Sequence, residues 1–325
     1  MADRSERFLV TGGAGFIGSH LVDALLERPE AEVVVLDRLS VGGRRENVAH
    51  HEDDPRFTFQ LGDVNDADTV GRLVREVDVV VHCAAESHVD RSIAGPREFL
   101  VTNVLGTHTV LDACREHGRR LLMVSTDEVY GANEPAGASF PEDAALAPRS
   151  PYAASKAGAD LLCRAYHVTY GVEVVVIRGT NAFGPRQLER VVPTYSLAAL
   201  RGLPVPVYGR GEQRREFLHV EDWVRATCLV LDRGEAGVVY NVGDGFELPN
   251  LELARRICAL AGAPESLITF VEDRPGHDFR YGVRADRLRA LGWSPEIPFD
   301  DGLASTVEWY RTHVAEVLEA TPATT

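Results

Sequence analysis

The chain has 325 residues, 45% hydrophobic and 26% charged, the balance of a folded protein long enough for a large core and a smaller lobe. Asp and Glu number 49 against 34 Lys and Arg, and the resulting charge of −15 repels phosphate backbones, so nucleic acid is not an expected partner. No apolar run reaches the roughly 20 residues that cross a bilayer, so no membrane association is expected. The start of the chain carries no secretory pattern. Cys83, Cys114, Cys163, Cys228 and Cys258 are widely spaced and form no CxxC pair, which points to reduced thiols in the cytoplasm, with no metal and no disulfide framework.

In chain order, Phe8–Val10 reads as a strand, followed by a Gly-rich turn and a helix over Ser19–Glu27. Val33–Leu36 and Thr58–Gln60 are the next strands, then a helix over Asp66–Glu76 and a strand over Val79–Cys83. A helix near Val101–Glu116 leads to the strand Leu121–Ser125. A further helix starts near Tyr152 and leads to the strand Glu173–Ile177. Near-continuous aliphatic strands alternating with amphipathic helices predict an α/β fold, a doubly wound parallel sheet of Rossmann type. After Arg178 glycine and proline become frequent, as suits a smaller C-terminal α/β lobe built around a ligand. The expected division is 1–178 for the dinucleotide-binding domain and 179–325 for the substrate lobe. Parts of 213–243, notably Gly237–Val242, would rejoin the main sheet. The tail from Glu319 to Thr325 has little to pack against and is expected to fray.

The turn after the first strand, Thr11-Gly12-Gly13-Ala14-Gly15-Phe16-Ile17-Gly18, places Gly12, Gly15 and Gly18 at GxxGxxG spacing before a helix. Glycines let the backbone close on a pyrophosphate at the helix N-terminus. Asp37 ends the second strand, where a carboxylate suits the two ribose hydroxyls of NAD and repels the extra phosphate of NADP. Arg38 beside it blunts that preference. Asp63, after the third strand, is a candidate acceptor for an adenine amino group.

Tyr152 and Lys156 are four residues apart and share a helix face. A lysine ammonium beside a phenol favours the phenolate. Thr126 ends a strand at the edge where α/β folds place ligands, and its hydroxyl could bind the same substrate oxygen. Asp127 and Glu128 follow directly. Ionising one of two adjacent carboxyls hinders the other, so one can serve as acid and one as base. Arg214 and Arg215 form a candidate anion-binding pair despite the acidic whole.

These motifs, GGxGFIG, Tyr152-x-x-x-Lys156 and the Thr126 position, resemble the extended short-chain dehydrogenase/reductase family. The runs Ala84–Ser92, Ser125–Gly131, Ser150–Lys156 and Asp273–Asp278 resemble, more narrowly, its nucleotide-sugar branch and the dTDP-glucose 4,6-dehydratases. That resemblance implies an NAD-dependent lyase in which Tyr152 removes the 4-hydroxyl proton, Glu128 takes the C5 proton and Asp127 protonates the departing 6-hydroxyl. It implies that Phe16, Ile17, Val64, Ala84, Ala85, Ser87 and Thr102 join Gly12, Gly15, Gly18, Asp37, Asp63, Tyr152 and Lys156 around the cofactor. It places Ser87, His88, Thr126, Asn181, Arg190, Pro206, Tyr208, Arg215, Asn250, Asp273 and His277 around the sugar nucleotide. It also implies a homodimer built on the helices near Val101–Glu116 and Ser155–Tyr170.

The chain departs from that pattern at Thr180-Asn181-Ala182-Phe183-Gly184-Pro185, where the family carries paired asparagines and a tyrosine. Ala182 removes an amide that the family places near the nicotinamide. In the next stretch, one residue shorter than usual, Arg190 takes the place of a lysine. These changes leave the sugar and the base open. UDP-glucuronate decarboxylation, 4-epimerisation and a non-enzymatic nucleotide-sugar-binding role stand as alternatives to dehydration.

Overall fold

A computed structural model describes residues 6–133, 137–273 and 277–320. Strands run in the order β1 (Glu6–Thr11), β2 (Ala31–Asp37), β3 (Phe57–Leu61), β4 (Val79–His82), β5 (Arg120–Thr126), β6 (Val174–Gly179), β7 (Asn181–Phe183), β8 (Val205–Tyr208), β9 (Arg214–His219), β10 (Val239–Val242), β11 (Glu247–Pro249) and β12 (Ile268–Val271). The helices that frame the site are α1 (Phe16–Leu26), α2 (Ala67–Arg75), α3 (Val89–Ala94), α4 (Pro96–Phe99), α5 (Gly106–His117), α6 (Pro151–Tyr170), α7 (Val191–Leu200), α8 (Val220–Arg233) and α9 (Asn250–Ala261).

Seven strands form one sheet in the order β10-β6-β5-β4-β1-β2-β3, and every pair in it is parallel. β1 to β3 wind one way and β4 to β6 the other, so the order reverses between β1 and β4. That crevice, at the carboxyl ends of the strands, is where such sheets bind ligands. Gly237–Val242 does return to this sheet, as β10 beside β6. Valine-rich strands are buried on both faces because each face carries a core. One packs α1 and α8 under the sheet (Leu21, Val22, Leu25, Trp223, Val230), the other packs α2, α5 and α6 over it (Val70, Leu73, Val110, Leu111, Cys163).

A third core, including Phe183, Tyr195, Phe217, Leu253 and Tyr310, lies under the smaller sheets β11-β9-β7 and β12-β8. α6 starts cleanly because Ser150 accepts the Ala153 N–H and Pro151 fills the first turn, and it stops at Gly171 with φ +72°. The helix read near Val101–Glu116 is regular only from Gly106. Leu100–Leu105 is a π-helical stretch that turns Thr102 and Asn103 inward, where both are buried. The extra residue per turn is a device common at functional sites. The tail beyond residue 320, whose fraying the sequence suggests, and Arg274–Gly276 of the quoted motif lie outside the described residues.

Candidate active site

A cavity of about 270 Å³ opens over the carboxyl ends of β1, β2, β4, β5 and β6. Its floor at one end is the glycine turn. Gly12 has φ +68°, and a side-chain carbon there would lie 2.7 Å from the backbone of Ala84; at Gly18 it would lie 2.2 Å from the Gly12 carbonyl. Only glycine lets these strands and α1 approach so closely. No side chain caps the start of α1, so Gly15, Phe16 and Ile17 present an uncapped helix N-terminus to the cavity. Asp37 is buried on the same wall, its carboxylate accepting the N–H groups of Ala14 (3.0 Å) and Leu39 (2.8 Å).

Val64, Ala84, Ala85, Ser87 and Thr102 complete this side of the lining. Asn103 fixes it: its amide bonds Glu86 from both sides and donates to Ser155 Oγ on α6 at 2.8 Å. The buried oxygens Thr102 Oγ1, Ser125 Oγ, Thr180 Oγ1 and Asp127 Oδ2 line or border the cavity with no hydrogen-bond partner among the described residues. Orphaned polar atoms on a concave wall call for a polar ligand. Together with the glycine cradle and Asp37, they fit an NAD.

Thr126, Asp127, Glu128, Tyr152 and Lys156 meet at the other end, all nearly inaccessible to solvent. Thr126 Oγ1 donates to Asp127 Oδ1 at 3.2 Å and accepts the Glu128 N–H at 3.3 Å, which ties the acid pair to the end of β5. Burial, then the Glu128 charge, push the Asp127 carboxyl up to about 7. Tyr152 differs from the expectation. Burial and the Glu128 charge push its phenol up to about 12, opposed by Arg190 and by a bond to Thr126. Lys156 is not what opposes them: its ammonium donates to the Val124 carbonyl at 2.7 Å and so pins α6 to β5. Burial lowers the pKa of that lysine.

The sequence matches the model of the GDP-mannose 4,6-dehydratase family over residues 9–306. The chain belongs to that family. It is 48% identical to a dTDP-glucose 4,6-dehydratase of Actinoplanes over 316 residues, 94% of this chain and 98% of the relative. It is 49% identical to the low-salt glycan biosynthesis protein Agl12 of Haloferax volcanii, covering 93% and 97% of the two chains. Among solved structures, the dTDP-glucose 4,6-dehydratase DesIV of Streptomyces venezuelae, with NAD and a second ligand bound, superposes with a TM-score of 0.94 at 46% identity, over 97% of this chain and all of that one.

On this dehydratase-family scaffold the remaining sequence-read residues fall into two groups. Asn181 and Arg190 line the cavity with the acid pair, and His88 lies close enough to Arg190 for its imidazole to be pushed down, chiefly by burial and then by that charge. Pro206, Tyr208, Arg215, Asn250, Asp273 and His277 lie off the main cavity wall, on the smaller lobe. There Arg215 stacks on Tyr281 at 4.5 Å and donates to the Asp278 carbonyl at 2.9 Å. Asp273 accepts from Gln213 at 2.8 Å and bonds His277 at 2.6 Å, and Asn250 is joined to Gln213 through the backbone. Asp63 also lies off the wall: Arg38 and Asn65 occupy its carboxylate.

Sequence reasoning missed several neighbours of the site. Glu216 is fully buried and close enough to Asp127 to feel its charge. Arg178 pairs with Asp160 at 2.7 Å and with Tyr130 beneath the acid pair. Glu86 falls inside the quoted Ala84–Ser92 run without being singled out there, and Gln187 and Asn103 carry no motif signal; contacts distant in sequence reveal all three.

Proposed function

We propose that the chain is a dTDP-glucose 4,6-dehydratase working with NAD. The observation that carries this reading is the acid pair. Asp127 and Glu128 are adjacent, buried and set on the cavity wall beside Thr126 and Tyr152, and the Asp127 carboxyl, raised to about 7, holds its proton in about half the molecules at neutrality. The named relatives support the substrate, and the NAD in the Streptomyces venezuelae structure supports the cofactor.

Gly12, Gly15, Phe16, Ile17, Gly18 and Asp37 would hold the NAD, with Val64, Ala84, Ala85, Ser87 and Thr102 along its length. NAD bound there would supply the acceptor for the hydride of sugar C4 and the donor for its return to C6. Tyr152 moves the 4-hydroxyl proton, and Thr126 binds the same oxygen. The 4-ketone acidifies the C5 proton, which Glu128 removes as base. Asp127 gives its proton to the 6-hydroxyl, which leaves as water; as hydride reaches C6 of the resulting enone, Glu128 returns its proton to C5, so the net product is the 4-keto-6-deoxy sugar. Asn181, Arg190 and His88 would face the sugar. Arg215 with Pro206, Tyr208, Asn250, Asp273 and His277 would face the nucleotide diphosphate, for which a guanidinium fork is suited.

Residues 1–178 with β10 would then serve the cofactor and the rest of 179–325 the sugar nucleotide. A homodimer through α5 and α6 is part of this reading. Exposed Leu105, Leu161, Val168 and Tyr170 on or beside those helices support it, and light scattering of the purified chain tests it. The cytoplasm remains the expected compartment. Among the described residues no helix is long and apolar enough to cross a membrane.

Mass spectrometry of the product from dTDP-glucose tests the activity. The expected product is lighter by one water and forms without an added hydride donor. An unchanged mass, or carbon dioxide released from UDP-glucuronate with dTDP-glucose untouched, overturns the reading.

A further inference from the structure

Away from the cavity, three metal-ligating side chains from two elements converge. Asp23 lies on α1, and His50 and His51 lie on the short 3-10 turn Ala49–His51. His50 Nε2 is 2.9 Å and His51 Nε2 is 2.7 Å from the same atom, Asp23 Oδ1. The three donor atoms lie within 4.8 Å of one another, and the two imidazoles are tilted at 43° with centroids 4.0 Å apart. One carboxylate oxygen can accept both bonds, but two imidazole nitrogens and a carboxylate oxygen gathered from two elements are also the ligand types and spacing that a divalent transition metal takes.

We propose that Asp23, His50 and His51 form a binding site for a divalent transition-metal ion of the zinc class. Zinc sits about 2.0–2.2 Å from imidazole nitrogen and carboxylate oxygen, so donors in a tetrahedral shell stand roughly 3.4 Å apart. Opening the two N–O distances, 2.9 and 2.7 Å, by about 0.5 and 0.7 Å therefore admits the ion, with water completing the shell. The other carboxylate oxygen, Oδ2, accepts from Arg186 at 2.7 Å. That contact orients the ligand as outer partners do in metal sites. The Arg186 charge also weakens the site relative to thiolate zinc centres. The two-nitrogen, one-oxygen set selects zinc, cobalt, nickel or copper over calcium and magnesium, which demand oxygen shells.

His50 is about half exposed, which gives an ion a path in. None of the three residues lines the catalytic cavity. An ion here would fasten α1 to the 49–51 turn, and the site does not depend on the proposed dehydratase reaction.

Cobalt(II) titration of the full chain, prepared without a histidine tag, tests the site. The expected result is one equivalent bound with a visible d–d spectrum of nitrogen and oxygen ligation, displaced by zinc. His51→Gln and Asp23→Asn should each weaken binding at least about tenfold, a loss typical even of groups that only orient a ligand. Zinc should raise the melting temperature of the parent chain and not that of His50→Gln/His51→Gln, whose metal-free melting reports its folding. No cobalt bound to the parent chain, binding that survives in the double variant, or an intense thiolate charge-transfer band each overturns the proposal.

Discussion

Arg190 Nη1 stands 3.8 Å from Glu128 Oε1, and the same guanidinium lies 5.7 Å over the Tyr152 ring. It is anchored by donating to the Ser87 carbonyl and sits on a backbone with φ +104°, a conformation side-chain-bearing residues rarely adopt. Such strain, of order 1–3 kcal/mol, persists where the surroundings over-determine it, often at functional sites. Arg190 thus sets a positive charge beside Glu128 and Tyr152, the residues proposed to move protons. It is a counter-charge to the rise of the tyrosine, a role the sequence assigned to Lys156.

Removing that charge should raise the Tyr152 phenol further. The tyrosine must lose its proton to accept one, so its activity rises with pH. In Arg190→Ala the rising limb of the pH–rate profile for C4 oxidation should move up by about 1 pH unit, while Arg190→Lys keeps most of the parent profile. Rapid-mixing measurement of reduced nicotinamide across pH checks this. A profile unmoved in Arg190→Ala would show that the guanidinium serves the substrate alone.

Asp127 should set the opposite limb. In the proposed reaction it protonates the leaving hydroxyl and so must hold a proton, and its pKa of about 7 means that proton is lost as pH climbs through neutrality. Water loss should therefore fall above pH 7 while C4 oxidation does not. Asp127→Asn should slow elimination by about 10²- to 10⁴-fold, the usual worth of a positioned acid, and reduced nicotinamide should accumulate. Elimination at the parent rate in this variant would remove Asp127 from its role.

The parts of the site legible in the sequence are those whose chemistry is contiguous. The glycine turn, Thr126-Asp127-Glu128 and Tyr152/Lys156 are each fixed by a strand end or one helix face, so spacing alone reports them. β10 was visible as a returning aliphatic strand. What spacing does not report is which charge faces which. Lys156 shares a helix face with Tyr152, yet its ammonium reaches Val124, and the opposing cation comes from Arg190, 38 residues beyond Tyr152. Asp63 reads as a strand-end acceptor, yet Arg38 claims it. The Asp23 cluster joins residues 27 and 28 apart, with no motif to announce it. The smaller-lobe residues around Arg215 are brought together by pairing of β9 with β11 and by loops, which no local pattern encodes.

Glu216 offers a test through stability. It is fully buried, its carboxyl accepts the Gly245 N–H at 2.8 Å, and burial pushes its pKa from 4.5 to about 8. The folded chain therefore keeps a proton that the unfolded chain releases. Its contribution is present below pH 4.5 and is lost as pH rises to about 8, flat thereafter. Relative to Glu216→Gln, the parent should lose stability steadily between those limits, by at least about 1.4 kcal/mol, the worth of one pKa unit. Melting of both proteins from pH 4 to pH 9 measures the difference. A difference that does not change with pH would show that Glu216 titrates normally.

Arg38 lines the cavity, but its guanidinium is taken up by neighbouring carboxylates. It lies 3.1 Å from Asp63, pairs with the buried Glu86, and has Glu98 at 3.8 Å. Beside it Asp37 presents its carboxylate to the cavity. A 2′-phosphate would thus meet a negative charge and a guanidinium already committed to other partners, which favours NAD over NADP. Asp63→Asn with Glu86→Gln should free Arg38 and lower the NAD-to-NADP affinity ratio by about tenfold, or 1.4 kcal/mol. Adding Asp37→Ser should lower it again. Fluorescence titration with both dinucleotides measures the ratio, and melting of each variant separates this effect from the loss of the buried Glu86 pairs. If the ratio stays at the parent value in the Asp63→Asn/Glu86→Gln variant, the choice rests on Asp37 and the arginine plays no part in it.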